Sequence, residues 1–243
     1  MFESTQSKLG KKKLSRFREL ATFERVFQPS FEEVFRHDYR LKGRWCREVF
    51  GNDHPLVLEL GCGKGEYSVG LARLYPERNF IGIDIKGARI WRGALTAHQD
   101  KISNVAFLRT RIDFIRSFFA AGEVDELWIT FPDPQEKMRR RKKRLTGALF
   151  LNLYREILKD KGYIHLKTDN EALFRYTLEL ARLNKIPIER STSDLYREEW
   201  TDETVSIQTY YESKFLMEGA RICYLSFRLS SEQVIKEIPD ESP

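Results

Sequence analysis

A chain of 243 residues with net charge +6, 41% hydrophobic and 13% aromatic residues has length for one large domain, or one domain with extensions, and enough apolar side chains for an ordinary core. Three scattered cysteines (Cys46, Cys62, Cys223) without a CxxC pair exclude a disulfide framework and point to reduced thiols in the cytoplasm, and four histidines share no metal-ligand spacing. No apolar run approaches the ~18 residues of a membrane span, and the N-terminus shows no apolar leader core, which excludes a secreted or membrane-spanning reading.

Residues 1–30 read as a basic extension that is mobile or docks on the surface, carrying Lys8, Lys11, Lys12, Lys13, Arg16 and Arg18 and closed by Pro29. The spacing of apolar residues over 31–50 predicts a helix, broken by Asn52-Asp53-His54-Pro55. Five short apolar strands follow at Leu56–Leu60, Phe80–Asp84, Val105–Arg109, Leu127–Phe131 and Tyr163–Lys167. Helices are predicted between and after them, over about 66–75, 86–99, 112–120, 146–159 and 170–184. That alternation implies parallel βαβ units and a doubly wound, mostly parallel α/β sheet over 31–229. Ile186–Arg190 reads as a further strand, 191–208 as polar connection, and Arg221–Leu229 as an antiparallel C-terminal strand; the tail 230–243 is polar and expected to fray.

Ligands on such sheets sit beyond the carboxyl ends of the strands, at the topological switch point. There, Leu56–Leu60 runs into Gly61-Cys62-Gly63-Lys64-Gly65, a turn that lets backbone approach a ligand closely. Glu59 lies inside this otherwise apolar strand, where an unpaired carboxylate is costly. Asp84 ends the next strand, 23 residues after Gly61, in place to take a ribose hydroxyl pair. A dinucleotide fingerprint wants Gly or Ala where this chain has Glu66, whose carboxylate would repel a pyrophosphate. S-adenosylmethionine carries no phosphate and has a cationic sulfonium, so the acidic pattern favours it as cofactor over a nicotinamide dinucleotide.

The fourth strand ends in Phe131-Pro132-Asp133-Pro134, two prolines stiffening the backbone around one carboxylate. Seven cations follow in eight positions: Lys137, Arg139, Arg140, Arg141, Lys142, Lys143 and Arg144. A solvated face would explain such a run, but its position beside Asp133 favours a phosphate-holding loop near the chemistry. Asp169, after the fifth strand, is read alone as a helix N-cap, as are Thr168 and Asn170. Thr209-Tyr210-Tyr211-Glu212 alone says little.

Taken together, LELGCGKGEY, GIDIK, FPDPQEKMRRRKKRL, HLKTDNEALF and TYYESKF resemble, in that order and across about residues 55–228, the bacterial tRNA (guanine-N7-)-methyltransferase family. The resemblance implies a Rossmann-like class I methyltransferase fold, adenosylmethionine as cofactor and tRNA as partner, with transfer to N7 of a guanine at position 46 of the variable loop. It places Glu59, Gly61, Gly63, Asp84, the Arg111 position and Asp133 around the cofactor, with Asp133 at the junction with substrate and as the catalytic candidate. Lys137, Asp169, Thr209, Tyr210, Tyr211 and Glu212 resemble the family's guanosine- or tRNA-contacting positions, and the run Arg139–Arg144 its RNA-binding stretch. Two positions depart from the pattern. Arg111 stands where the family has an adenine-contacting Asp, leaving backbone groups or Asp113 for that contact, and Gln135 stands where an aromatic is usual. A non-catalytic RNA-binding protein on this scaffold, a nicotinamide-dependent oxidoreductase and an exocyclic-amine methyltransferase are the competing readings. Oligomeric state stays open between monomer and homodimer.

Overall fold

The computed structural model describes residues 15–239; Lys8, Lys11, Lys12 and Lys13, and residues 240–243, lie outside them. Eight strands form one sheet: β1 (Val26–Phe27), β2 (Leu56–Leu60), β3 (Asn79–Asp84), β4 (Val105–Arg109), β5 (Val124–Thr130), β6 (Leu158–Thr168), β7 (Ile188–Thr192) and β8 (Cys223–Leu229). Their order is β1-β4-β3-β2-β5-β6-β8-β7; every pair from β1 to β6 is parallel, and β8 runs antiparallel to both its neighbours. The expected mostly parallel sheet with an antiparallel C-terminal strand is therefore the fold.

Burial on both faces explains why β2 and β3 read as continuous apolar runs. Leu56, Leu58 and Leu60 enter one core with Ile81 and Ile83, while Val57 enters the opposite core with Phe80 and Trp128. From β2 the chain turns to β3 on one side and later returns to β5 on the other, so the switch point lies at the carboxyl end of β2.

Several elements differ from expectation. The single helix over 31–50 is instead a short helix, Phe31–Val34, and a π-helical turn, Cys46–Phe50, separated by Arg36 (φ 62°) and Gly43 (φ 75°). Tertiary bonds replace the helical ladder there: Tyr39 N–H donates to Ser117 C=O at 2.8 Å, and the buried Trp45 indole donates to Phe118 C=O at 2.8 Å. The helix expected over 112–120 is a 3₁₀ turn, Ile112–Phe114, running into Ile115–Phe118. The helix expected over 146–159 is confined to Ala148–Tyr154, and β6 starts early, at Leu158.

The flanks also belong to the core. Residues 15–20 are helical, Leu20 is fully buried, and Val26–Phe27 adds an edge strand to β4, so the described part of the basic extension is docked. The tail expected to fray is fixed as far as residue 239. Asn152 bonds the N–H and C=O of Ile235, Asn184 does the same for Lys236, and Ile235 is buried. Two asparagine side chains thus imitate a strand partner for a tail that has none. No described helix is long and apolar enough to cross a membrane.

Candidate active site

The glycine loop after β2 is shaped by its own backbone. Gly61 and Cys62 both donate to Ile83 C=O, at 2.8 and 3.0 Å, which ties the loop to β3. Gly65 has φ 70°, and a Cβ there would stand 2.5 Å from the Phe107 ring, so both conformation and space demand glycine. Asp84, 8% exposed, closes the arrangement: its carboxylate accepts from Gly63 N–H at 3.0 Å and Lys86 N–H at 2.7 Å.

Glu59 lies beneath the loop. Ser68 N–H donates to Oε2 at 2.8 Å with the Ser68 hydroxyl on the same oxygen, and the Thr130 hydroxyl donates to Oε1 at 2.7 Å. Both carboxylate oxygens are thus occupied, clamping the helix Glu66–Leu74 to the end of β5. Burial pushes its carboxyl up to about 7, against the hydrogen bonds from Ser68 and Thr130 that favour the charged form.

Beyond Asp84, a cavity of about 270 Å³ is lined by Pro29, Phe31, Ile85, Thr110, Arg111 and Phe114. Ile85 and Phe31 are large apolar side chains left 55% and 53% exposed beside it, a surface suited to a flat apolar ring. Arg111 and Asp113 are bonded to each other, with Nε to Oδ1 at 2.9 Å and a second contact from Nη2 to Oδ2. That pairing engages the carboxylate that was a candidate replacement for the missing Asp. Pro29 went unforeseen because residues 1–30 read as a separate extension, and Phe31 because it opens the helix expected over 31–50.

The loop after β5 is built differently. Phe131 (φ 48°) and Gln135 (φ 47°) adopt left-handed backbone without being glycine. Phe131 N–H donates to Lys167 C=O at 2.8 Å, and Gln135 N–H donates to Asp133 Oδ1 at 3.0 Å, so the carboxylate is held in a turn yet exposed. The position that departs from the family thus serves through its backbone. Lys137, Arg139, Arg140, Lys142 and Lys143 are exposed along a 3₁₀ helix, Met138–Lys143.

Two cations of the run do other work. Arg144 is 9% exposed; its Nε donates to Pro134 C=O at 3.2 Å, and its guanidinium lies 4.3 Å over the Tyr176 ring, bracing the loop from below. Arg141 is mostly buried, 3.9 Å from the Glu237 carboxylate in the C-terminal tail. Both are corrections to a run read as uniformly phosphate-facing. Arg141 lies in the last turn of the 3₁₀ helix and Arg144 is its C-cap residue, so both sit where the loop turns back onto the core.

Asp169 follows β6, but the helix Glu171–Leu183 is capped by Asn170, whose side chain accepts from Leu173 N–H at 2.8 Å. The N-cap reading of Asp169 is therefore overturned. Its carboxylate is half-buried at the site's edge, and burial raises its pKa.

The segment Thr209-Tyr210-Tyr211-Glu212 opens an unforeseen helix, Tyr210–Met217, through a capping box between Thr209 and Glu212. Glu212 is fully buried, 2.7 Å from the equally buried Lys167 ammonium, and accepts from Tyr196 Oη at 2.8 Å. It is a brace and not a surface contact, which corrects its placement among substrate-facing residues. Burial lowers the Lys167 pKa, and the Glu212 carboxylate opposes that shift. Tyr210 and Tyr211 remain exposed, with the Lys64 ammonium 3.6 Å over the Tyr210 ring. Glu66, the residue that argued against a pyrophosphate, accepts from Tyr210 N–H at 2.8 Å and so joins this helix to the glycine loop.

Comparison with known proteins identifies the family and the fold. A family model described as "Putative methyltransferase" matches residues 53–225. The tRNA (guanine-N(7)-)-methyltransferase of Bacteroides thetaiotaomicron is 50% identical over 232 residues, 96% of this chain and 91% of the relative. The tRNA (guanine-N(7)-)-methyltransferase of Christiangramia forsetii is 52% identical over 90% of this chain and 99% of its own. Among solved structures, an antibiotic-related methyltransferase superposes with TM-score 0.56 at 16% identity, covering 75% of this chain and 91% of that one. The 16S rRNA methyltransferase KamB does so with TM-score 0.54 at 14% identity, covering 80% and 95%; at such identities the likeness concerns the fold. With half its residues shared across nearly the full length of such relatives, the chain belongs to the tRNA (guanine-N(7)-)-methyltransferase family.

Proposed function

We propose that the chain transfers the methyl group of S-adenosylmethionine to N7 of a guanine in tRNA, the variable-loop guanine at position 46 being the target. The observation that carries this reading is one edge of the sheet. The glycine loop, Asp84 and the Asp133 loop share it, in a chain half identical to enzymes named for that reaction. The residues fit the cofactor: three loop glycines at positive φ, a near-buried acceptor at Asp84 and an apolar-walled cavity beyond it, with Glu66 where a pyrophosphate would be repelled.

Gly61, Gly63, Asp84, Ile85 and the Arg111 backbone would hold adenosylmethionine, with Asp133 at its reactive end and Glu59 keeping the loop in shape. Bound there, the cofactor supplies a methyl group made electrophilic by a cationic sulfur. Guanine N7 offers an in-plane lone pair and has no proton to lose, so the chain needs no general base. The purine becomes positively charged, and a fixed, exposed carboxylate at Asp133 stabilises that charge or grips the base edge, with Asp169 as second acceptor. Alignment supplies the rest. The guanine must leave its stack, at about a few kcal/mol, and phosphate contacts from Lys137, Arg139, Arg140, Lys142 and Lys143 offset that cost.

The test is incubation with unmodified tRNA and labelled cofactor, followed by mapping of borohydride- and aniline-sensitive cleavage, which reports N7-methylguanine directly. Cleavage at position 46 is expected. Label incorporated without such cleavage would move the reaction to another atom, and no incorporation would sink the activity.

A further inference from the structure

A second set of cations lies across the glycine loop from Arg139–Lys143. The helix Gly87–Gln99 leaves β3 just after Asp84 and buries Ile90, Ala94 and Ala97 against the sheet. Helical geometry then turns Arg89, Arg92 and Thr96 outward, within about 60° of one another. Arg89 and Arg92 are exposed, as is Lys86 at the N-cap, and none of the three has a carboxylate partner among the described residues. The arginine facing them differs: Arg73, on the helix Glu66–Leu74, is paired with Asp100.

Gly93 makes this surface continuous with the site. A Cβ there would lie 2.7 Å from Lys64 C=O and 3.0 Å from Gly65 Cα, so its absence lets the helix seat directly on the glycine loop. The result is a groove of about 480 Å³ in which Lys64, Gly65, Arg92, Thr96 and Gln208 share one wall-to-wall space. Gln208 precedes Thr209 at the cap of the tyrosine helix, and Lys64 already reaches over Tyr210. Among the described residues the one carboxylate lining the groove, Glu66, is occupied by Tyr210 N–H.

We propose that Lys86, Arg89 and Arg92, continued inward by Lys64, form a second contact for the phosphodiester backbone of the same RNA, on the opposite flank of the target guanine from Arg139–Lys143. The inference rests on tRNA being the substrate. A nucleotide drawn out of its stack has backbone leaving it in two directions. One cation loop holds only one of these, and unpaired arginines on the far flank are placed to hold the other. Thr96 and Gln208 add neutral donors between the charges.

The test compares the wild-type protein with R89A/R92A and R89E/R92E for binding to full-length unmodified tRNA across a salt series, with adenosylmethionine affinity measured by calorimetry to confirm an intact fold. Removing two phosphate contacts should reduce the slope of log K against log salt by about 2, with unchanged cofactor affinity, and charge reversal should weaken binding further. A wild-type slope in both variants would show a merely solvated face and overturn the proposal. Methylation is read separately. Variants that lose slope on a tRNA that the wild-type protein never methylates at N7 would keep this surface and sink the proposed activity. A wild-type slope on a methylated tRNA would do the reverse.

Discussion

The two flanks of the switch point are built on opposite plans. On the β2–β3 side, positive φ falls on glycines, and the acceptors Glu59 and Asp84 are almost completely buried and bonded to backbone or hydroxyls. On the β5–β6 side, positive φ falls on Phe131 and Gln135, and Asp133 stands exposed among cations. Left-handed backbone at a non-glycine residue costs on the order of 1 kcal/mol and persists only when the surroundings over-determine it. Here Lys167 C=O, the Asp133 carboxylate, Arg144 and the Asn170–Glu136 contact supply that determination. On the proposed function, a small ligand of fixed shape would be met by shaped backbone. A large polyanion would be met by an exposed loop whose rigidity comes from buried braces underneath.

The contrast breaks most visibly at Lys167, which holds the Asp133 loop through its carbonyl and the tyrosine helix through its ammonium. Lys167→Met leaves the Glu212 carboxylate in the interior without its counter-charge, held only by Tyr196 Oη and Thr209 N–H, and should cost about 3–5 kcal/mol, read from urea unfolding. Removing both charges in K167M/E212L should restore much of it. A single-variant cost below about 1 kcal/mol would mean that the pair braces nothing.

Glu59 gives the next largest effect, and it is a pH effect. Its folded pKa of about 7 exceeds the unfolded value of 4.5, so the folded state binds more protons between them. The stabilisation from this group is complete below pH 4.5 and is lost as pH rises through 7, amounting to about 3 kcal/mol at most. Glu59→Gln should flatten the fall in stability between pH 5 and 8. An unchanged slope would place the titration elsewhere.

The β2–β3 flank was legible because its signals are local. Short apolar runs mark fully buried strands, and a glycine turn with one acid inside the strand before it and another ending the strand beside it marks the site. The β5–β6 flank was legible only in part. The Asp133 loop and its cations stand together in sequence, but the braces connect residues far apart: Lys167 to Glu212, Arg144 to Tyr176, Asn170 to Glu136. No periodicity carries those pairs. The Thr209-x-x-Glu212 capping box is a helix-start signal in a segment that alone says little about function, while Ile235 gives no sign that two asparagine side chains hold the tail. The helix predicted over 31–50 failed because tertiary bonds from Tyr39 and Trp45 outweighed a suitable spacing of apolar residues.

Asp133 sharpens the comparison on the chemical side. Asp133→Ala should lower turnover about a hundredfold, close to 2.7 kcal/mol of barrier, while tRNA affinity stays near wild type, because the proposed function assigns the phosphate contacts to the cations. Single-turnover methylation against a binding curve separates the two. Equal losses in both would make Asp133 a docking residue only.

The smallest effect discriminates between neighbours. Asn170 caps the helix Glu171–Leu183 and also meets Glu136 at 3.2 Å, so Asn170→Ala should cost about 1 kcal/mol of stability by removing a cap. Asp169, one residue earlier, makes no cap, and burial already disfavours its charge. Asp169→Asn should therefore leave unfolding free energy unchanged or slightly raised, yet raise KM for tRNA if its carboxylate grips the guanine. Measured side by side, the two variants separate a residue that holds the loop from one that faces the base. If D169N instead lost stability as N170A does, with KM untouched, the acid would join the braces, and the exposed flank would be left with Asp133 as its sole carboxylate for the purine.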